Sequence, residues 1–380
     1  MEFRDLKTQY QLHKESIDQA LLSVVSDSHF IGGTQVNEIE KVLATYVGVK
    51  HCISCANGTD ALQLALMAWE IGEGDAVFVP DFTFFSSGEV VPSVGATPIF
   101  VDVKEDTFNI DPVRLQESIN WVKENTELIP KVIIAVNLFG QPAEYERIRN
   151  IADAYGMLIL EDAAQGFGGE INIGSNTGKA CSFGDISTTS FFPAKPLGCY
   201  GDGGAIFTNN DEWATILKSL KVHGKGSDKY DNVHIGMNSR LDTIQAAVLL
   251  EKMKFFDEEV EKCNQVATWY YELLASNENV KTPTVLEGYL SSWAQYTILC
   301  KDEKYRNKIM FALKEADIPS MIYYKKPMHL QEAFDGIAME NAPGCPVTDD
   351  ICKRCLSLPM SAYVSREEVT RIAGIINCVN

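Results

Sequence analysis

The sequence lacks a long apolar run, a basic cluster and an apolar N-terminal core. No segment approaches the roughly 18 consecutive apolar residues that a membrane-spanning helix needs, so we expect no membrane contact. The opening MEFRDLKTQYQLHKESI is polar, so we expect a cytoplasmic protein without a secretion signal. A formal net charge of −19 without any Lys/Arg run would repel a phosphate backbone, and we expect no nucleic-acid partner.

Motifs for several other cofactors and for metals are missing as well. No GxGxxG joins an early strand to a helix, so hydride transfer is unsupported. The stretch GSNTGKA, residues 174–180, has three residues between its glycines and alanine after its lysine, so it predicts a turn and not a phosphate loop. CxxC spacings begin at Cys52 and Cys352, but they are far apart and lack nearby paired histidines. We therefore expect free thiols and no metal.

Short apolar runs rich in β-branched residues are the main feature that is present. They lie at 77–80, 98–103, 132–139, 157–162, 187–192 and 204–209. Helical or turn-rich segments separate these runs, which predicts strands alternating with helices. Fully apolar strands with helical crossovers are typical of an α/β fold whose mainly parallel sheet is covered on both faces.

The pattern changes after Lys254 and predicts a second, smaller unit. Its expected elements are a helix over 258–276, a strand over 295–300, a helix over 306–316, a strand over 320–327 and a last helix from Ser365, with Glu368 at capping-box spacing. A chain of 380 residues exceeds what one core usually serves, and 46% apolar content can fill two. We predict a large domain at residues 1–250 and a small C-terminal α+β domain at 251–380.

Three stretches place polar residues where strands of such a sheet end, and open α/β sheets bind ligands there. In SCANGTDALQ a short strand leads through Asn57 and Gly58 into a helix whose first turn holds Thr59 and Asp60. Free N–H groups and the positive helix end predict an anion site there, for phosphate. A purely structural Asn-Gly turn is the alternative.

The second and third stretches supply an acid and a lysine. In ILEDAAQGFGG an acidic pair ends a buried strand, and a carboxylate at that dry position needs a positive or hydrogen-bonding partner. Asp162 is therefore expected to meet one, capping of the next helix being the alternative. In SFFPAKPLGCYGDGG, Lys195 lies between Pro193 and Pro196, which excludes a regular helix, and the glycines after it permit close backbone approach.

These three features together match the demands of pyridoxal 5′-phosphate (PLP). A lysine amine condenses with the aldehyde of this cofactor, a carboxylate keeps its pyridine nitrogen protonated, and a helix start binds its phosphate. We therefore expect Lys195 to anchor the cofactor and also to carry the substrate proton between carbons.

With these motifs the chain resembles, nearly end to end, the nucleotide-sugar aminotransferases of the aspartate aminotransferase superfamily, PLP fold type I. The matching motifs are ANGTDAL, PDFTFFSS, EDAAQGFG, SFFPAKPLGCYGDGGA and GMNSRLDTIQAAVL. The resemblance implies a large domain with a mainly parallel sheet of the seven-stranded type. It also implies PLP as cofactor, with pyridoxamine 5′-phosphate as its aminated form, and a homodimer with shared active sites.

The resemblance further implies roles for individual residues. Lys195 would be the Schiff-base lysine, Asp162 the partner of the pyridine nitrogen, and Gln165 a neighbour of the ring hydroxyl. Phe84 would stack on the ring. The residues implied around the phosphate are Gly58, Thr59, Asp60 and Ser190, with Asn238 from the neighbouring subunit.

Substrate contacts are implied by the same resemblance. The guanidinium of Arg240 suits the carboxylate of the amino donor, expected to be L-glutamate, with an interface salt bridge as the alternative. The segment IYYKKPMHLQEAF resembles the substrate-side segment of the family, in which an aromatic residue and a histidine approach the sugar. This implies Tyr324 and His329, although Tyr323 stands where relatives often carry histidine. A packed tyrosine and a surface histidine are the alternatives.

The resemblance also implies which sugar accepts the amino group. NSRLDTIQAA resembles the branch acting on 3-keto sugars. ANGTDAL and FFPAKPLGCYGDGG are most similar to enzymes acting on UDP-2-acetamido-2-deoxy-3-keto-D-glucuronate, for surface polysaccharides. The alternative acceptor is a dTDP-3-keto-6-deoxyhexose. Lys325 and Lys326 fit a uronate, a diphosphate or plain solvation. Related sugar dehydratases carry histidine at the position of Lys195, and a non-enzymatic PLP sensor would need an output domain, so both are remote alternatives.

Overall fold

Helices and short strands alternate along the chain in the computed structural model, which describes residues 1–174, 177–228, 230–339 and 342–379. The α-helices are α1 Leu6–Asp27, α2 Thr34–Val47, α3 Gly58–Ala68, α4 Ser86–Ser93, α5 Pro112–Asn125, α6 Tyr145–Tyr155, α7 Asp211–Leu220, α8 Thr243–Met253, α9 Phe256–Leu274, α10 Glu303–Glu315, α11 Pro346–Arg354 and α12 Arg366–Cys378. The strands are β1 His51–Cys55, β2 Asp75–Pro80, β3 Thr97–Val101, β4 Ile129–Val136, β5 Leu158–Asp162, β6 Glu170–Ile171, β7 Gly178–Lys179, β8 Ile186–Ser190, β9 Gly204–Thr208, β10 Val280–Lys281, β11 Tyr289–Leu290, β12 Tyr296–Cys300 and β13 Cys355–Leu358.

A seven-stranded sheet forms the centre of the fold, in the order β1-β9-β8-β5-β4-β2-β3. β9 runs antiparallel to both of its neighbours, and the other pairs are parallel. Side chains of β2 alternate between two buried clusters: Val77 and Val79 pack in the cluster of α3, and Ala76 and Phe78 in that of α5 and α6. Both faces of the sheet are therefore covered, and the predicted α/β architecture is confirmed.

The six strands predicted from apolar runs correspond to β2, β3, β4, β5, β8 and β9, with ends shifted by one to three residues. The largest difference is in the run 132–139, whose last residues leave the sheet and form a 3₁₀ turn at Leu138–Gly140. In GSNTGKA, for which a turn is predicted, Gly178 and Lys179 form β7. Ser175 and Asn176 lie outside the described residues.

A second group of elements follows α8. β10, β12 and β13 form an antiparallel sheet, and its side chains share a buried cluster with α9, α10 and α12 whose members all lie between residues 263 and 376. The predicted capping box at Ser365 and Glu368 is present at the start of α12. This second group of elements has its own buried core, which supports the predicted division near residue 250; the division stays a prediction.

The strand predicted over 320–327 is wrong. Met321 alone pairs with Ser357 of β13, and the chain then leaves that sheet. The reason is a stronger anchor further along: the backbone carbonyl and carboxylate of Asp81, at the end of β2, accept the backbone N–H groups of Met328 and His329 at 3.0 and 2.8 Å. The segment therefore turns toward the central sheet, and the Tyr323–Tyr324 peptide bond within it is cis.

The ten cysteines are free thiols, and all but Cys378 are buried. Burial raises the pKa of both Cys52 and Cys55, which keeps these β1 thiols protonated. None of the helices in the described ranges has the length and apolar content to cross a membrane.

Candidate active site

A cavity of about 740 Å³ lies where the parallel strands of the central sheet end. Its walls include the turns after β1, β2, β5 and β8, so the topology brings together side chains that are distant in sequence. Of the residues predicted for the site, those lining the cavity are Gly58, Thr59, Phe84, Asp162, Gln165, Ser190, Lys195 and Tyr324. Those lying outside the lining are Asp60, Asn238, Arg240 and His329.

The start of α3 forms one end of the cavity. The Asn57 side chain caps the helix by accepting the N–H of Asp60 at 2.8 Å, which leaves the preceding N–H groups directed at the cavity. A Cβ atom on Gly58 would lie 2.7 Å from the Cβ atom of Ser190, so only glycine fits there. Thr59 shares a 2.7 Å hydrogen bond with Ser86, the first residue of α4. N–H groups, hydroxyls and the positive helix end together suit a phosphate group.

Asp162 and Lys195 form the charged centre of the cavity. The Asp162 carboxylate accepts the Ser87 hydroxyl at 2.8 Å and the Ala164 N–H at 3.1 Å. Desolvation raises the pKa of Asp162 against the opposing effect of these hydrogen bonds and of Lys195. Desolvation also lowers the pKa of Lys195, although the charge of Asp162 works in the other direction. Both groups are thus shifted toward their neutral forms, as acid–base residues often are.

The neighbouring Glu161 has a structural role. Successive residues of β5 point to opposite faces, so Glu161 is directed away from the cavity. Its carboxylate is fully buried and accepts the N–H groups of Cys181 and Phe183, the Ser187 hydroxyl and the Asn137 amide, all within 2.8 Å. These donors satisfy the buried charge, and only Asp162 of the acidic pair is available to a ligand.

Aromatic rings and a fixed amide form the wall beside Lys195. The Nζ atom of Lys195 lies 5.9 Å from the ring centroid of Phe84, and the Tyr324 ring centroid lies 6.4 Å from the same point. The Gln165 amide accepts the Phe139 N–H at 2.9 Å and donates to the Tyr324 hydroxyl at 2.9 Å. A planar ligand between Phe84 and Asp162 would therefore meet rigid surfaces, and the stacking role of Phe84 stays a prediction that this geometry fits.

His329 is held behind the cavity wall. Its Nδ1 atom lies 2.7 Å from the carboxylate of Asp81, which is fully buried, and its Nε2 atom lies 3.7 Å from Asp349. This geometry gives no support to the predicted sugar contact of His329. We assign the residue a positioning role, since it ties the segment carrying Tyr324 to the end of β2. Asp81 is absent from the predicted site residues, although it lies in the motif PDFTFFSS directly after a predicted strand.

The Asp81–His329 pair predicts a pH-dependent stability. The hydrogen bond to Asp81 raises the pKa of His329 above its ordinary 6.5, so the protonated pair stabilises the fold below that pH and the contribution is lost as the pH rises through the raised value. His329→Asn is expected to lower the melting temperature at pH 6 more than at pH 8. Thermal melting of both proteins across this range measures the effect.

The matched control is His51→Asn, because His51 pairs with the exposed Asp211. An exposed ion pair contributes little, so this variant is expected to show a much smaller pH-dependent difference. Equal pH slopes for His329→Asn and the wild type would contradict the assigned pairing.

Asn238 and Arg240 lie at the surface of their own chain. Both side chains are exposed, whereas Ser239 between them is buried and accepts the N–H of Ala56 at 3.0 Å. This bond holds the segment next to the start of α3, with the two flanking side chains pointing outward. Neither side chain lines the cavity of its own chain, and their predicted roles at the phosphate and the amino donor stay predictions.

Comparison with known proteins shows which family the chain belongs to. Residues 11–377 match the DegT/DnrJ/EryC1/StrS aminotransferase family. The chain is 41% identical over 377 residues, 99% of each chain, to the UDP-2-acetamido-2-deoxy-3-oxo-D-glucuronate aminotransferase of Pseudomonas aeruginosa. It is 37% identical over 372 residues, 98% of this chain and 96% of the relative, to the UDP-N-acetyl-3-dehydro-alpha-D-glucosamine 3-aminotransferase of Acidithiobacillus ferrooxidans.

A crystal structure of a DegT/DnrJ/EryC1/StrS aminotransferase from Brucella abortus is also similar. It is 47% identical and superposes with a TM-score of 0.94, covering 99% of this chain and 98% of that one. The chain belongs to this aminotransferase family, and the expected PLP fold type I is confirmed.

Aminotransferases of this family depend on PLP. The residues present here fit that cofactor: a helix start with hydroxyls for the phosphate, a buried acid without a cationic partner at hydrogen-bond distance among the described residues, and a desolvated lysine amine in the same cavity. Lys195, Asp162, Gly58, Thr59 and Ser190 are the side chains and backbone that would hold it.

Proposed function

We propose that the protein transfers an amino group from L-glutamate to C3 of UDP-2-acetamido-2-deoxy-3-keto-D-glucuronate. The observation that carries the proposal is the convergence of Lys195, Asp162 and the start of α3 on one cavity, in a chain of this family. Its similarity along 99% of both chains to an aminotransferase named for that uronate supports the choice of acceptor. The product would be a 2,3-diamino uronate for surface polysaccharides.

Each step assigned to the chain follows from its own residues. Bound PLP would supply the carbonyl carbon that accepts the amino group and an electron sink for the electron pair that remains on the donor carbon when its α-proton leaves. The negative charge of Asp162 would favour a protonated pyridine nitrogen. Lys195, whose lowered pKa favours the neutral amine, would act as the base that accepts the α-proton of the donor and as the acid that gives it back. Phe84 and Tyr324 restrict water beside that amine.

A dTDP-3-keto-6-deoxyhexose is the second candidate acceptor, and relatives named as dTDP-amino-sugar transaminases, at 36% and 32% identity, support it less strongly. Sugar dehydration is disfavoured because position 195 is lysine and not histidine. We retain the cytoplasm as the proposed compartment, since ten free thiols suit a reducing environment.

The donor and the dimer are parts of the same proposal. With Asn238 and Arg240 exposed and outside the cavity lining of their own chain, a homodimer in which each subunit supplies these two side chains to the other would complete the site. Asn238 would bind the phosphate, and Arg240 would bind the carboxylate of L-glutamate through its planar fork.

Mixed dimers test whether the sites are shared. We expect Lys195→Ala and Asn238→Ala proteins each to have low activity when cofactor is limiting. Subunits of the two, mixed in equal amounts and allowed to exchange, are expected to regain about a quarter of the native activity, since half of the dimers would carry one intact site. Turnover at limiting cofactor measures this. A mixture that merely averages its parents would contradict a shared site.

The acceptor is tested in a single turnover. Protein loaded with pyridoxamine 5′-phosphate is mixed with the UDP-3-keto uronate or with a dTDP-3-keto-6-deoxyhexose, and the visible absorbance of lysine-bound cofactor is followed. Return of this absorbance with the uronate alone supports the proposal. Return with the deoxyhexose alone would overturn the proposed acceptor and promote the second candidate.

A further inference from the structure

The cavity lining contains two cations among the residues that the structure describes, Lys195 and Lys326. The proposed reaction commits Lys195 to the cofactor. Lys326 forms no ion pair with the described parts of the chain, and its side chain is exposed. Beside Lys195, it is therefore the positive charge that the cavity lining of this chain offers to a substrate, whereas the proposed Arg240 of a second subunit is assigned to the amino donor.

Lys325 and Lys326 are adjacent, but they differ in what they face. Lys326 lines the cavity, and its backbone carbonyl accepts the amide of Gln331, another lining residue, at 3.2 Å. Lys325 is exposed and lies outside the lining. The fold thus places one of two adjacent lysines in the cavity lining and leaves the other outside it as a matched comparison.

The position of Lys326 along the chain places it near the sugar. It follows Tyr324 by two residues, a stretch of at most about 7 Å, and the Tyr324 hydroxyl is bonded to Gln165 beside the reacting centre. A lysine stem that begins this close to Tyr324 reaches groups attached to the reacting sugar more readily than it reaches a distant nucleotide base.

The acidic residues of the cavity lining mean that a carboxylate ligand would need a cation here. Asp162 and Asp202 also line the cavity, and both are acidic side chains. A sugar carboxylate brought near these two acids would be repelled unless a cation were paired with it, because negative charges close to one another disfavour each other.

We propose that Lys326 binds the C6 carboxylate of the acceptor sugar and thereby selects a uronate over its neutral counterpart. The inference rests on the proposed function, to which it adds the residue that binds the carboxylate of the uronate. It also separates Lys326 from Lys325, which the sequence left equivalent.

Binding of two stable ligands to the full-length, cofactor-loaded protein tests this inference. UDP-2-acetamido-2-deoxy-D-glucuronate and UDP-N-acetylglucosamine differ only at C6, which is a carboxylate in the first and a hydroxymethyl group in the second. Lys326→Gln is expected to weaken uronate binding about 10- to 100-fold and to change binding of the neutral sugar by less than about twofold. Lys325→Gln is expected to leave both Kd values unchanged. Titration calorimetry measures all of them.

The remaining outcomes each decide the matter. Equal losses for both ligands, and for UDP alone, would mean that Lys326 holds the shared diphosphate, which overturns the inference. A wild type that binds the two sugars equally, or a Lys326→Gln protein that keeps the native preference, overturns it as well while leaving the proposed reaction intact. A wild type that binds neither nucleotide sugar contradicts the proposed function itself, and the inference falls with it.

Discussion

Lys195→Ala is expected to abolish multiple-turnover transamination, lowering kcat by about 10⁴-fold or more. The lost amine is both the group that would bond the cofactor and the base that would move the substrate proton, so one substitution removes two functions. The visible absorbance of lysine-bound cofactor is expected to disappear as well. Release of 2-oxoglutarate from L-glutamate, with the 3-keto uronate as acceptor, measures turnover.

Two further lysine variants identify the cause of that loss. Lys195→Arg keeps the positive charge but not the nucleophilic amine, and it is expected to be as inactive as Lys195→Ala. Lys252 is also a buried lysine, with a pKa that desolvation lowers to about 8, but it lies outside the cavity lining. Lys252→Met is expected to retain turnover. Full activity of Lys195→Ala would refute the proposed mechanism.

The parts of the fold and of the site that could be predicted are those marked by patterns within short stretches of the sequence. β5 was expected over 157–162 and occupies Leu158–Asp162, because its apolar run ends abruptly at an acidic pair. The turn at Asn57 and the loop around Lys195 are marked by residues that restrict or free the backbone, namely asparagine, proline and glycine. Parallel topology then brings these strand ends to one edge of the sheet, which is why motifs far apart in sequence predicted a single cavity.

The parts that were missed depend on contacts between distant segments. The segment 320–327 has the apolar and aromatic content of a strand, but the anchor to Asp81, almost 250 positions earlier, determines its path. The same contact draws His329 away from the cavity. No pattern within a short window contains this information, and an apolar strand followed by aspartate indicates at most that Asp81 needs a partner.

Asp162→Asn is expected to lower turnover by about 10²- to 10³-fold while leaving cofactor binding largely intact. Asparagine can still accept the Ala164 N–H with its carbonyl oxygen, and its amide nitrogen can donate to the Ser87 hydroxyl, so the local structure should persist. What disappears is the negative charge that would keep the pyridine nitrogen protonated. Single-turnover rates at saturating cofactor measure the chemical step, and Ser87→Ala, which removes one hydrogen bond but keeps the charge, is expected to cost about tenfold at most.

Stability separates this catalytic loss from misfolding. Burial raises the pKa of Asp162, so in the cofactor-free protein its contribution to stability is present at low pH and is lost as the pH rises through the raised value. Asparagine has no charge to bury, and the cofactor-free Asp162→Asn protein is therefore expected to melt at or above the wild-type temperature at pH 8. A variant that melts lower there, or one that turns over at nearly the native rate, would show that Asp162 does not act as a buried charge reserved for the ring of the cofactor.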